Sequence, residues 1–353
     1  MPLRVAVIGY GLAGSVFHAP LISSVPGLSV AAVVTGDPGR QENAARRYPA
    51  AAILGHAEQV WEDAGSYDLA VIAAPNRQHV PLATAALHAG LPVVVDKPVA
   101  TTAAAARGVA ALAAARGLPV IPFHNRRWDG DLRTVRRLLS EGALGGPQRL
   151  ESRFERWRPE IKPGWKESTD PRDAGSILYD LGPHLIDQAL VLFGRPATVY
   201  AEIDTRRPGA AVPDDVFVAL THPGGVRSHL WMSATAAHLG PRFRVLGDAA
   251  GYVVYGLDGQ EDALRAGRTP LDDGWGVASA GVYGQAGTPG RTRAVPTEPG
   301  AYQDFYAAVA DAVRGQAPPP VDLADAITGL EVIEAAVRSA REQRVIDMPV
   351  PES

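Results

Sequence analysis

The sequence predicts an α/β N-terminal Rossmann domain on a doubly wound parallel sheet, followed by an α+β domain with a large, mainly antiparallel open sheet. Three observations carry this. The first third alternates short apolar runs with Ala-rich helical stretches, the pattern of parallel strands covered on both faces. A G-x-G-x-x-G turn joins the first run to the first helical stretch. After Phe123 strand candidates follow one another with a single long helix among them. With 353 residues, 46% of them hydrophobic, the chain has apolar material for about two domains. The expected division is 1–123 and 124–353, with the C-terminal helices candidates to pack back on the first domain.

In chain order, strands are expected at Arg4–Ile8, Ser29–Val34, Leu69–Ala73, Pro92–Val95 and Pro119–Phe123. Helices are expected between them at Ala13–Ser24, Arg40–Tyr48, Gln78–Ala89 and Thr102–Arg116. A helix over Asp131–Glu141 opens the second domain. Strands follow at Arg149–Arg158, Thr198–Asp204, Val216–Thr221, Val226–Trp231, Arg242–Leu246 and Tyr252–Tyr255, interrupted by a helix from about Asp180 to Phe193. His222-Pro-Gly-Gly225 reads as a hairpin connection. Arg149–Arg158 carries charge on both faces, so it borders a site or subunit contact, or else is a solvated edge. Arg265–Gly300, rich in Gly, Pro and Thr, reads as loops with short strands. Helices at Ala301–Arg314 and Leu323–Arg341 close the chain, with Ala317-Pro-Pro-Pro320 as a stiff connector.

Composition removes several classes of function. Lys and Arg total 34 against 38 Asp and Glu, a formal charge of −4, which argues against retention on nucleic acid by a basic field. With no cysteine there are no disulfides, thiolate nucleophiles or Cys-held metals, and the nine histidines lack a metal-ligand spacing such as H-E-x-x-H. The N-terminal apolar run is too short for a signal peptide, and no stretch reaches the ~20 apolar residues that span a bilayer. A cytoplasmic protein without nucleic-acid or membrane partners is expected.

The turn Gly9-Tyr10-Gly11-Leu12-Ala13-Gly14 is the candidate dinucleotide site. Gly9 permits the tight turn, Gly11 lets the backbone approach the pyrophosphate, and Gly14 allows close helix–strand packing. The helix N-terminus then offers unpaired N–H groups to the phosphates. An acidic residue normally ends the second strand and holds the ribose hydroxyls. Thr35 and Gly36 stand there instead, with Arg40 able to pair with a 2′-phosphate, while Asp37 suits a helix cap before Pro38. NADP is therefore favoured over NAD.

Lys97 follows Val93-Val94-Val95-Asp96 at the carboxyl end of a buried parallel strand, where ligands bind in such sheets. Pro98 biases it away from helix and makes a cis peptide feasible. Further on, Asp180-Leu-Gly-Pro-His184-Leu-Ile-Asp187 begins a helix. With Asp180 as its cap, Pro183 falls in the first turn. Asp180 and His184 then share a face, a carboxylate beside an imidazole suited to acid–base work near neutral pH.

In this order, Gly9–Gly14, Asp96-Lys97-Pro98 and Asp180–Asp187 resemble the glucose–fructose oxidoreductase/inositol dehydrogenase (Gfo/Idh/MocA) family over nearly the whole chain. Ala74-Pro75-Asn76-Arg77-Gln78-His79, Phe123–Trp128 and Arg156-Trp157-Arg158-Pro159-Glu160 look most like its branch of NADP-linked scyllo-inositol dehydrogenases. The resemblance implies a substrate pocket between the domains. It implies that Lys97 orients the substrate hydroxyl and nicotinamide, that His184 is the general base, and that Asp180 positions substrate and histidine. Ala74, Pro75, Asn76 and His79 would line the nicotinamide ribose, with Asp96 and Lys97 grouped beside them. Asn125 and Arg126 would meet the substrate. Arg158, Glu160, Lys162, Trp165 and Lys166 are further candidates to bind a small polyhydroxylated substrate, with the Trp165 segment a candidate loop over the pocket. Two departures stand out: Ala174-Gly175-Ser176 replaces the usual glycine-rich approach, and Asp96 replaces the commoner Glu.

The implied chemistry is reversible oxidation of a secondary alcohol on a cyclitol, polyol or sugar, with NADP or NAD and no metal. A homodimer or homotetramer through the open sheet is implied as well. The rival is a dinucleotide-binding sensor, since the family includes a transcriptional repressor of the galactose pathway that does not turn its dinucleotide over. A sensor has no need of Lys97, Asp180 and His184 together.

Overall fold

The computed structural model describes residues 1–162 and 164–349. The chain divides into two compact units. The first comprises Met1–Trp128, Gly259–Trp275 and Ala301–Ala326; the second comprises Asp129–Asp258, Gly276–Gly300 and the residues from Ile327 onward. Each unit gathers three separate stretches of the chain.

Among the described residues the first unit holds a six-stranded parallel sheet of β1 (Leu3–Ile8), β2 (Leu28–Val34), β3 (Ala52–Leu54), β4 (Leu69–Ile72), β5 (Val93–Val95) and β6 (Val120–Pro122). Its order, β3-β2-β1-β4-β5-β6, is that of a dinucleotide-binding Rossmann sheet. Val5–Ile8, Leu69–Ile72 and Val93–Val95 are buried at every position, which is why these strands read as unbroken apolar runs. The first helical stretch is a π-helical segment, Ala13–His18, that continues into α1 (Ala19–Ser24). After it come α2 (Pro38–Arg47), α3 (Glu58–Glu62), α4 (Asn76–His88) and α5 (Ala103–Arg116). Asp37 caps α2, accepting from Arg40 N at 2.9 Å, and Thr102 caps α5, accepting from Ala105 N at 3.1 Å. β3 and α3 were not foreseen; at three and five residues they are too short to carry a period. The core of this unit also takes Tyr302, Phe305, Tyr306 and Val309 from the helix Tyr302–Val313, and Phe305 meets Phe123, Trp128 and Tyr306 edge-to-face.

The second unit begins with α6 (Gly130–Ser140) and is built on nine strands among the described residues. These are β7 (Pro147–Glu155), β8 (Thr198–Asp204), β9 (Asp215–Thr221), β10 (Arg227–Ser233), β11 (Phe243–Gly247), β12 (Gly251–Val254), β13 (Gly284–Thr288), β14 (Arg291–Val295) and β15 (Ile346–Asp347). Their order is β14-β13-β12-β11-β7-β10-β9-β8-β15, antiparallel throughout except β7–β10. The hairpin at His222–Gly225 joins β9 to β10. β7 lies at the centre, which overturns the solvated-edge alternative for its charges. Leu150, Ser152 and Phe154 face the core, and the charged residues alternate onto the other face. There Glu151 accepts from Arg153 and Arg244, each at 3.2 Å, and pairs with Arg149 at 3.1 Å, while Arg153 stacks 3.9 Å from the Trp231 ring.

The core face packs on α6, on α7 (Ile177–Phe193) and on Val332, Ile333 and Ala336 of the helix Leu323–Glu342. α7 starts three residues before Asp180, because Ser176 is its cap and accepts from Tyr179 N at 3.4 Å. Asp180 is therefore not the cap, and Pro183 lies inside the helix rather than in its first turn. No helix among the described residues is long and apolar enough to cross a membrane.

Candidate active site

In the first unit, β1 delivers the chain to Gly9 at φ +96°, and a Cβ there would lie 2.5 Å from Ala73 O. A Cβ on Gly14 would collide with Gly9 O. Both positions therefore demand glycine for the turn and its packing. Gly11 differs: a Cβ there would meet only Arg40 Nη1, at 3.8 Å. Open space in front of bare backbone, beside an exposed guanidinium, is what a pyrophosphate or ribose phosphate needs, so these residues fit a dinucleotide. Tyr10 is buried, its hydroxyl on Asn43 Oδ1 at 3.3 Å, while Leu12 is exposed and Ala13 half-buried. At the end of β2, Thr35 Oγ1 accepts from Asp37 N at 3.4 Å, and Gly36 is exposed. No carboxylate occupies Thr35's place, and that of Asp37 is engaged in its cap.

Beside this turn lies the Lys97 turn. β4 and β5 are neighbours, and Asp96 N donates to Ile72 O at 2.9 Å while Asp96 Oδ1 accepts from Lys97 N at 2.8 Å. The Lys97–Pro98 peptide is cis. Across the turn, His79 in the first turn of α4 places Nδ1 2.7 Å from Pro98 O and Nε2 2.7 Å from Ala74 O. Pro75 is the cap residue of α4 and Asn76, buried, its first residue. Behind them His18 is fully buried, with Nδ1 2.6 Å from Tyr306 Oη and Nε2 4.0 Å from Asp96 Oδ2. Burial pushes its pKa down to about 4, against the pull of Asp96.

Asn125 and Arg126 lie in the turn Asn125–Trp128, both buried. Arg126 donates to Glu261 Oε2 at 2.6 Å and to Tyr302 Oη at 3.4 Å, inside its own unit. That internal ion pair gives Arg126 a structural task. Its partner sits on the helix Gln260–Arg265, which the sequence did not reveal.

In the second unit, β7 continues past its end, with Arg156 N on Ser233 O and Arg158 N on Ala234 O, both at 2.8 Å. Both side chains line a recess with Lys166, Ser176, Asp180 and Arg207. Asp180 and His184 are one turn apart on α7, and Asp180 Oδ1 accepts from Lys166 Nζ at 2.7 Å. A lysine thus shares the carboxylate expected to serve the imidazole. Trp165, part-exposed, opens the 3₁₀ turn Trp165–Glu167. That turn is tied down by Lys166 on Asp180 and by Glu167 on Arg207, whose Nη2 lies 2.9 Å from Glu167 Oε1 and whose Nε donates to Asp214 at 2.8 Å. Gly175 makes the packing possible, since a Cβ there would run into Ser168 O. Glu160 and Lys162 are exposed. Below the site, buried Arg242 donates to Gln188 Oε1 and Ser152 Oγ, each at 2.7 Å, and pairs with Asp131 at 3.2 Å, anchoring α7. Arg207 and the Arg242 frame carried no sequence signal, because Glu167 lies 40 residues from Arg207, and Gln188 and Ser152 lie 54 and 90 from Arg242.

Residues 3–124 match the family described as "Oxidoreductase family, NAD-binding Rossmann fold", and residues 136–348 match "Oxidoreductase family, C-terminal alpha/beta domain", the two parts of Gfo/Idh/MocA. The chain is 34% identical over 348 residues to the scyllo-inositol 2-dehydrogenase (NADP(+)) IolW of Bacillus subtilis, covering 98% of this chain and 95% of that protein. It is 38% identical to the oxidoreductase YdgJ of Escherichia coli, covering 98% of each. The solved structure of the oxidoreductase yvaA from Bacillus subtilis superposes with a TM-score of 0.92 at 34% identity, covering 99% of this chain and 100% of that one.

Proposed function

The chain belongs to the Gfo/Idh/MocA family of NAD(P)-dependent oxidoreductases, and from that premise we propose that it oxidises a secondary alcohol of a cyclitol, with scyllo-inositol the first candidate and NADP the preferred cofactor. The observation that carries this reading is the full-length likeness to a scyllo-inositol 2-dehydrogenase (NADP(+)). The Thr35–Gly36–Arg40 arrangement supports the cofactor choice, offering a 2′-phosphate a hydroxyl and a guanidinium and no opposing carboxylate at the strand end.

We assign the residues as follows. The glycine turn and Arg40 bind the cofactor phosphates. Ala74, Pro75, Asn76, His79 and Asp96 form the setting of the nicotinamide end, where Lys97 orients the substrate hydroxyl. His184 accepts the hydroxyl proton, and Asp180, held by Lys166, orients the substrate and the imidazole. Arg158, Trp165 and Asn125 contact other hydroxyls or the sugar face. The nicotinamide, when bound, supplies hydride acceptance; the chain supplies geometry and the route for the proton. The open face of the second unit, with half-buried Phe217, His229 and Trp231, is assigned to a second copy of the chain, as a homodimer or homotetramer. Screening scyllo-inositol, myo-inositol and common hexoses with NADP and NAD, by absorbance of the reduced nicotinamide, tests the reading. Turnover on a cyclitol with NADP supports it; tight cofactor binding without turnover on any polyol makes the chain a sensor.

A further inference from the structure

His79 is 1% exposed, and each of its ring nitrogens lies 2.7 Å from a backbone carbonyl oxygen, Pro98 O on one side and Ala74 O on the other. A carbonyl oxygen only accepts. A neutral imidazole carries one N–H and one lone pair, so it can satisfy one such carbonyl and sets lone pair against lone pair at the other. Both contacts have the length of charge-assisted bonds. We infer that His79 is a positioning residue: an imidazolium donating to Ala74 O and Pro98 O, it clamps the Lys97 turn to the segment that opens α4.

The surroundings match this charge state. The titratable groups around the Lys97 turn include Asp96 and Lys97 on the turn itself, and His18 and Tyr306 behind it. Asp96, two residues before Pro98, is the carboxylate on the same turn. His18, in the same region, has the opposite character: its Nδ1 faces a tyrosine hydroxyl, which can donate, so a neutral ring satisfies it. Burial lowers the pKa of His18 to about 4, and Asp96 raises it in part. The first turn of α4 opposes a cation through its dipole, so the two carbonyls and Asp96 must outweigh that end of the helix.

The consequence is mechanical. The carbonyl after β4 and the one after Lys97 are held by one rigid ring, fixing the separation between Pro75–Asn76 and the lysine. That this separation matters to a reaction rests on the function proposed above; the charge state does not. The test is a nitrogen-detected spectrum of the full-length protein labelled with ¹⁵N-histidine, at neutral pH. His79 is assigned by its loss in His79→Gln or, should that variant not fold, by through-bond correlation. Both His79 nitrogens are expected at the shift of protonated nitrogens, with His18 showing one bare nitrogen. A bare lone-pair nitrogen on His79 overturns the inference, even in an active enzyme. His79→Gln is further expected to lower kcat by up to about 100-fold while KM for the polyol changes little. Wild-type kcat in that variant overturns the positioning role. A protein without any dehydrogenase turnover that still shows the imidazolium signature refutes the proposed function and leaves the clamp standing.

Discussion

Truncating Lys97 leaves the glycine turn and its bonds in place, so Lys97→Ala is expected to lose about 10²–10⁴-fold in turnover while NADP binding survives, as read by fluorescence titration. His184→Ala is expected to behave the same way, with the loss in kcat rather than in cofactor affinity. His18 makes a separate claim on stability. Its folded pKa of about 4 lies below the ordinary 6.5, so between those values the unfolded chain binds more protons than the folded one. Its contribution is complete above pH 6.5 and is lost as pH falls toward 4, amounting to about 3 kcal/mol in all. Urea unfolding at pH 7 and pH 5 checks this: His18→Gln, whatever its stability at pH 7, should lose less on acidification than the parent. The steric demand for glycine at Gly9 and Gly14 and the place of Lys97 after β5 were legible because each lies within a short motif. Lys166 on Asp180 was not, since a bond between residues 14 apart through an irregular loop leaves no period. The ion pair of Arg126 was not legible for the same reason, its partner lying 135 residues away.

α7 carries Asp180 and His184, the residues to which the proposed chemistry gives the handling of the proton, and its start is set by two residues. Ser176 caps it, and Ser176→Ala is expected to cost about 1 kcal/mol by denaturant titration. Ala174, just before, sits at φ +48°, in the left-handed region where a Cβ costs about 1–2 kcal/mol. Ala174→Gly should therefore raise stability by about 1 kcal/mol; a loss would show that this strain is absent. The boundary of α7 was misjudged because Asp180 has the chemistry of a cap, whereas Ser176 follows a Gly and precedes two apolar residues that suit either strand or helix. The buried strands of the first unit were legible from apolar runs alone. β13 and β14, Gly-Gln-Ala-Gly-Thr and Arg-Thr-Arg-Ala-Val, have little apolar alternation and owe their form to pairing with β12 and with each other.

At the scale of the molecule, the order of domain types was readable in the sequence, but not which core each late segment joins. The apolar face of Tyr302–Val313 announces a buried helix without saying that its partners are Phe123 and Trp128. The open sheet face makes its own prediction: light scattering should give the mass of a dimer or tetramer, and Phe217→Glu with Trp231→Glu should return it to a single chain. The same mass for parent and double variant would remove that face from the assembly. The most direct measurement of the whole reading is the initial rate of NADPH formation from scyllo-inositol, taken with the parent and with Lys97→Ala side by side. A steady rate in the parent that exceeds the rate with NAD, and falls by at least about 10²-fold in the variant, is the predicted result. An unchanged rate in Lys97→Ala, or none in the parent with any cyclitol while NADP binds, would contradict it.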